Sequence, residues 1–273
     1  MKVKVLVENT SVSSKYKSKH GLCLYIQTAK HRILFDLGAN GLFLENAHKM
    51  GLNIADIDTV VISHGHVDHA GALSVFLQYN HSAKVYIRES AFDKHYTKVL
   101  GLPFSVGLDS SLKCSKQIVF TDEIEEIDDE LTLFSNVQSN ELTSSSNLAL
   151  LAEINGKKQT DNFTHEQNLL IKEGNKAVLF AGCAHAGIVN IKARAEQLTN
   201  GYPLKIIGGF HMYNPISKKH ESKELVDKIA ERLDDGITHY YTCHCTGQWA
   251  YGTMKERLKD NLQHLSTGDE VVL

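Results

Sequence analysis

Two packed β-sheets with helices on their outer faces is the architecture that the sequence predicts. Short apolar runs alternate with helical patterns through most of the 273 residues, and strands followed by helices call for a layered arrangement around a shared core. The order of elements occurs twice: hairpin strands first, then alternating helices and strands. A hydrophobic fraction of 42% beside 22% charged residues is enough to fill a substantial core.

In chain order, strands are expected at Lys2–Val7, 22–27, 32–36, 59–62, Lys84–Ile87, 131–134, 148–154, 168–172, Lys176–Ala181, 205–208, 238–242 and 270–273. These runs are short, rich in β-branched and aromatic residues, and bounded by turn formers. Helices are expected at 42–50, 69–78, 91–100, 187–198, Lys223–Leu233 and 248–260. In Lys223–Leu233, for example, Leu225, Ile229 and Leu233 keep helical spacing and Gly236 follows as a stop. The expectation is a single domain of two pseudo-symmetric halves, roughly 1–120 and 159–273. The segment 121–158 joins them, acidic and Ser/Asn-rich (EIEEIDDE, NELTSSSN), as a linker with hairpins or as a lid.

Net charge is −3 with histidines neutral, and no dense Lys/Arg run occurs. A nucleic-acid partner is not expected, because phosphate binding draws on a basic face. The opening MKVKVLVENT reads as an alternating strand, with no apolar stretch long enough for a signal peptide or membrane span. Five cysteines are an odd number for a disulfide framework. Reduced thiols and a cytoplasmic location are the expectation, with no membrane contact.

The chemistry concentrates in DTVVISHGHVDHAG, residues 58–71. A strand over 59–62, buried on both faces, ends at Ser63. His64 and His66 are two residues apart, so in extended backbone both imidazoles point the same way and can grip one cation. Asp68 and His69 follow as the chain turns toward a helix, and are aimed at a second position. Imidazole with carboxylate suits zinc, iron or manganese. Three later strand ends offer further ligands: LFAGCAHAG gives Cys183 and His185, IIGGFHM gives His211, and YYTCHCTG gives His244. All are glycine-flanked, which lets backbone approach closely. Cys243 and Cys245, if extended with His244 between them, face away toward packing. Trp249 and Tyr251 begin the last helix and are expected in the core, with the pocket lining as the alternative place.

HGHVDH at 64–69, with FDLG at 35–38 before it, resembles the metallo-β-lactamase superfamily. Within it, the chain is similar to the branch of metal-dependent hydrolases typified by a dihydropterin–aminobenzene phosphate synthase. The motifs shared with that branch are HGL (20–22), SHGHVDHAG, DNFTHEQ (161–167), GCAHAGIVN, GGFH and HCTG, spread from His20 to Gly247. The resemblance implies an αββα four-layer sandwich of α+β class with a one- or two-metal site along one sheet edge. It implies that His64, His66 and one distant histidine hold the first metal and Asp68, His69 and another the second, with His185 expected in the first and His244 in the second. His211 is the rival for either place and otherwise faces the substrate. Where glyoxalase-like relatives carry a bridging aspartate, this chain has Gly182-Cys183, so Cys183 either ligates as thiolate or packs. Two zinc ions are expected, with manganese or iron as the other choices. Asp161, His165 and Glu166 are additional imidazole and carboxylate candidates.

A divalent metal lowers the pKa of bound water to about 7. The expected function is therefore a metal-dependent hydrolase that directs metal-bound hydroxide at a small ester or phosphodiester. Asp68 is expected to orient the water and accept its proton, and His211 to hydrogen-bond the developing anion. His20 could do similar work if the N-terminal loop folds over the site. The alternatives are a pterin-type synthase that releases pyrophosphate, and a metal-binding sensor without turnover. The partner in every catalytic case is a small molecule; the sequence carries no signal for oligomeric state.

Overall fold

The computed structural model describes residues 1–202 and 204–273. Two seven-stranded sheets face each other. The first runs in the spatial order Glu270–Val272, Lys2–Val7, Cys23–Gln27, Arg32–Phe35, Thr59–Val61, Lys84–Ile87, Ile118–Phe120. The second runs Leu262–His264, His239–Thr242, Leu204–Gly208, Lys176–Ala181, Gln167–Glu173, Leu131–Ser135, Ile124–Glu126. Each sheet is mixed. From Arg32–Phe35 onward the first is parallel, and from Lys176–Ala181 back to Leu262–His264 so is the second. The remaining pairs of both sheets are antiparallel.

The core lies in three sheets of apolar contact that follow from strand alternation. Val3, Val5, Leu24, Ile26, Ile33 and Phe35 turn inward from the first sheet and meet Leu133, Leu169, Ile171 and Phe180 of the second. The rings of Phe35 and Phe180 sit 5.9 Å apart across that layer. The outer face of the first sheet is covered by helices Leu42–Lys49 and Leu73–Tyr79, through Phe43, Ala47, Leu73 and Phe76. The outer face of the second is covered by Ile188–Leu198, Lys223–Leu233 and Gln248–Leu258. In Lys223–Leu233, Ser222 caps the helix by accepting from the amide of Leu225, and Val226, Ile229, Ala230 and Leu233 form the buried stripe. The result is the αββα four-layer sandwich. Among the described residues no helix is long and apolar enough to cross a membrane.

Residues 121–158 supply Ile124–Glu126 and Leu131–Ser135 to the second sheet, and Leu150–Ile154 to a separate four-stranded sheet. That small sheet has the order Lys157–Thr160, Leu150–Ile154, His95–Val99, Leu102–Ser105. It corrects the helix expected at 91–100. Ala91 and Phe92 close a 3-10 turn, after which His95–Val99 is a strand. His95 and Thr97 are buried while Lys98 is exposed. Strand pairing on both sides overrides the local apolar spacing. The helix expected over 69–78 is two, Val67–Ala70 and Leu73–Tyr79, and the strand expected from 148 starts at Leu150 after a 3-10 turn.

Candidate metal centre

The chemistry sits beyond the carboxyl ends of the parallel strands, where open α/β sheets leave a crevice. Thr59–Val61 leads to His64 and His66, Arg32–Phe35 to Asp36, Lys176–Ala181 to Cys183 and His185, Leu204–Gly208 to His211, and His239–Thr242 to His244. Asp36, at φ +59°, organises the first of these loops. Its carboxylate accepts from the Ser63 amide at 2.7 Å, the Ser63 hydroxyl at 2.7 Å and His69 Nδ1 at 2.6 Å. Two glycines allow close approaches here, Gly182 between the loops of the two sheets and Gly65 against the 3-10 turn at Ala91. A Cβ on Gly65 would stand 2.3 Å from the Ala91 carbonyl oxygen, and one on Gly182 would stand 2.1 Å from Ser63 Oγ.

His64, His66 and His185 form one group, with ring centroids 4.6, 4.9 and 5.2 Å apart. The Nε2 atom of each is buried with no hydrogen-bond partner among the described residues. Their other nitrogens explain which way they face. Ser63 Oγ gives its one proton to Asp36, so at 2.8 Å it accepts from His64 Nδ1. Asn147 clamps His185 at two points, donating Nδ2–H to its carbonyl at 2.9 Å while Oδ1 accepts from Nδ1 at 3.1 Å. With Nδ1 carrying the proton, each of these two Nε2 atoms presents a bare lone pair.

Asp68, His69 and His244 form the second group. His69 donates from Nδ1 to Asp36, and His244 from Nδ1 to Asn9 Oδ1 at 3.1 Å. Asn9 also donates to the His244 carbonyl at 3.0 Å, the same two-point clamp that Asn147 applies to His185. The two Nε2 atoms then face each other at 3.1 Å, with Asp68 Oδ2 at 3.6 and 3.4 Å from them. Lone pairs so close need a proton or a cation between them. Cys183 Sγ lies 3.2 Å from His69 Nε2 and belongs to both groups, within 4.8 Å of the ligand nitrogens of His64 and His185 and of His69 and His244. The donor set of buried imidazole, carboxylate and thiol fits divalent transition metals.

Electrostatics point the same way. Burial holds His64, His66 and His185 well below the ordinary imidazole range, which keeps them in the neutral, metal-binding form. His69 differs: burial alone would lower it, but Asp36 and Asp68 raise it to about 9, which favours its protonated form at neutral pH. Burial would raise the Asp68 carboxyl, yet His69, His20 and His244 bring it well below the usual range. Its carboxylate stays ionised.

The remaining predicted residues surround these groups. His20 Nε2 is 3.2 Å from Asp68 Oδ2, with its ring 4.7 Å from that of His244. His211, at φ +50°, packs 4.3 Å from His185 with both ring nitrogens buried and unpartnered among the described residues. Asp161 accepts from His95 at 2.9 Å and His165 at 3.2 Å, and His165 Nδ1 accepts from the Gly65 amide at 2.9 Å. Glu166 accepts from the amides of His185 and Ala186 at 2.6 and 3.0 Å. Burial, partly offset by those amides, puts its carboxyl at about 7. Phe163 stacks on His185 at 4.4 Å. The DNFTHEQ segment thus holds the loops that carry His66 and His185.

Cys245 corrects an expectation. His244–Thr246 is a 3-10 turn with φ +53° at His244, not extended chain, so Cys245 turns to the site. Its sulfur accepts from the His211 amide at 3.2 Å and clusters with Cys183. Cys243 packs between the sheets as expected. Trp249 is 40% exposed, against a core expectation, and Tyr251 packs on the helical face of the second sheet. Sequence reasoning missed Glu8, Asn9 and Asn147. Glu8 Oε1 accepts from the His244 amide at 2.7 Å, and Thr267 Oγ1 accepts from the Glu8 amide at 2.8 Å. These are single polar residues in loops, with no local pattern to mark them.

A cavity of about 170 Å³ opens over the site, lined by His66, Asp68, Cys183, His185, His211 and His244 among others. A larger one, about 760 Å³, lies beyond Asn147 and Phe163 and touches none of the six residues of the two groups.

A four-layer sandwich with clustered histidines at its strand ends defines a metallo-β-lactamase fold. The chain has that fold, and the family model of the metallo-β-lactamase superfamily matches residues 19–138. It is 24% identical to the 7,8-dihydropterin-6-methyl-4-(β-D-ribofuranosyl)-aminobenzene-5'-phosphate synthase of Methanocaldococcus jannaschii, over 98% of this chain and 95% of that protein. An uncharacterized protein of the same organism is 25% identical over 90% of each. Among solved structures, Tm1679, a metal-dependent hydrolase of the β-lactamase superfamily, superposes with a TM-score of 0.85 at 27% identity, over 100% of this chain and 99% of that one.

Proposed function

We propose that the protein is a metal-dependent hydrolase of a small ester or phosphodiester. The observation that carries this reading is the clustering of the His64, His66 and His185 rings, each with an unpartnered Nε2, beside the Asp68, His69 and His244 group. His64, His66 and His185 would hold one ion and Asp68, His69 and His244 another, with Cys183 between them. Bound there, zinc, manganese or iron would supply an ionised water at neutral pH and a Lewis acid for charge developing on the substrate.

The chain's own residues do the rest. Asp36, Ser63, Asn9 and Asn147 fix the tautomer and direction of the imidazoles. Asp68, the one member of the two groups with its side chain 21% exposed, turns an ionised carboxylate to the cavity, where it orients the attacking water and takes its proton. His211 faces the same cavity with free ring nitrogens and is placed to donate to the oxyanion. The test is elemental analysis together with a panel of esters, lactones and phosphodiesters assayed with zinc, manganese and iron. Near-stoichiometric bound metal and turnover of at least one class are expected. A protein that binds no metal overturns the reading.

Full-length similarity to a synthase supports a second reading, condensation with release of pyrophosphate. No lysine or arginine lines the cavity to steady such a leaving group, which favours hydrolysis. Incubation with a pterin pyrophosphate and an aminobenzene riboside phosphate separates the two.

A further inference from the structure

The cavity has one apolar wall, and that wall does not stop at the cavity's edge. Val67, Val106, Leu150, Pro215 and Ile216 line it, with no lysine or arginine. Leu150 and Thr97, both lining residues, are cross-strand partners in the small sheet, and Thr97 is in turn the partner of Phe104. Partners in register share a face, so Leu150, Thr97 and Phe104 form one continuous row leading out of the cavity. Val99 and Leu102 make the next row on the same face.

The two faces of this sheet differ in kind. The far face carries Lys94, Tyr96, Lys98, Glu153 and Lys158, tied together by Lys94–Glu153 and Tyr96–Glu153 hydrogen bonds and by Lys158 over the Tyr96 ring. On the near face the outer strand is apolar and exposed, while Thr97 is buried and Gln159 and Lys157 stand at the opposite edge. Phe104 is 52% and Leu102 64% exposed, and Ile216 at the facing rim is 47% exposed. Large apolar side chains gathered beside a reaction centre mark a binding surface.

We propose that the substrate is an uncharged carboxylic ester, open or cyclic, whose acyl chain lies on the face formed by Leu150, Thr97, Phe104, Val99 and Leu102. This rests on the hydrolase reading and narrows it. An apolar chain gains from that face, and the lining offers no side-chain cation beyond the histidines to seat a phosphate.

The test uses the metal-loaded full chain with p-nitrophenyl acetate, butyrate and octanoate, and bis(p-nitrophenyl) phosphate beside them. kcat/KM is expected to rise by about twofold to fourfold per added methylene along the ester series. Phe104→Asp and Leu102→Asp, both at exposed positions that tolerate charge, are expected to lower the octanoate-to-acetate ratio of kcat/KM by about tenfold. As a readout independent of turnover, calorimetry with 2-decanone, a neutral ketone, is expected to show binding with a negative heat-capacity change. That binding is expected to be about tenfold weaker in Phe104→Asp. Hydrolysis confined to the phosphodiester, or a flat response to chain length, overturns the proposal while leaving the hydrolase standing. If no substrate turns over, the hydrolase reading falls and ketone binding alone decides: loss in Phe104→Asp supports the apolar face, and no binding by either protein rejects it.

Discussion

His66 illustrates what a single residue does here. Its Nε2 is buried without a partner, and its ring meets those of His64 and His185. His66→Ala is expected to lower bound metal by at least one equivalent and abolish hydrolysis, read by elemental analysis of the purified variant; unchanged metal content rejects it as a ligand. Asp68→Asn keeps shape and volume but removes the base, so a fall in kcat of about 10² to 10⁴ is expected with an unaltered circular dichroism spectrum. Near-normal turnover would remove Asp68 from the chemistry. At this scale the sequence was most legible where candidate ligands are local, as in H-x-H-x-D-H. His185 and His244 were assigned on resemblance to a family. Asn9 and Asn147 were invisible, because a side-chain clamp on a distant histidine leaves no periodicity to read.

Strands and loops position these side chains through a few buried polar links between the two sheets. Gln167, on the second sheet, donates Nε2–H to the carbonyls of Ile62 and Tyr86 at 2.7 and 3.1 Å and accepts from Thr121 Oγ1 at 2.6 Å. Gln167→Ala strands a buried hydroxyl and leaves two carbonyls each short of a donor, a cost of about 3 kcal/mol. Urea denaturation should show a lower midpoint with the same slope, and an unchanged midpoint would contradict the link. Long, strongly patterned elements such as Lys223–Leu233 were readable from sequence because local propensity and burial agree. The strand His95–Val99 was not, since its partners lie at 102–105 and 150–154 and only that pairing decides against a helix. Ile118–Phe120 and Leu262–His264, three residues each, were not read from sequence, whereas the equally short Thr59–Val61 was marked by its β-branched run.

Over the whole molecule, the architecture of two sheets between helices followed from the order of elements, while the small sheet beside the cavity did not, being built from segments on either side of the acidic stretch. Stability also has a pH dependence remote from the metal centre. Burial would raise the Asp235 carboxyl, but the hydroxyl and amide of Thr238, the amide of Ile237 and Lys192 bring it down to about 2 from 3.8. A lowered folded-state pKa means stability that is complete above pH 3.8 and lost as pH falls through about 2. Asp235→Asn is therefore expected to cost about 1 kcal/mol at neutral pH, after allowance for solvent screening. The gap in Tm between variant and parent should close on acidification toward pH 2. A constant gap would show that the charge is not the cause.

The brace on His244 has a temporal consequence. Glu8 holds its amide, and Thr267 holds Glu8 from 259 residues away. At translation speeds of 5 to 20 residues per second, roughly 10 to 50 s separate the birth of the two. On the ribosome, the nascent polypeptide carries its first histidines long before Thr267 emerges, so the brace on His244 is completed only after that residue is made.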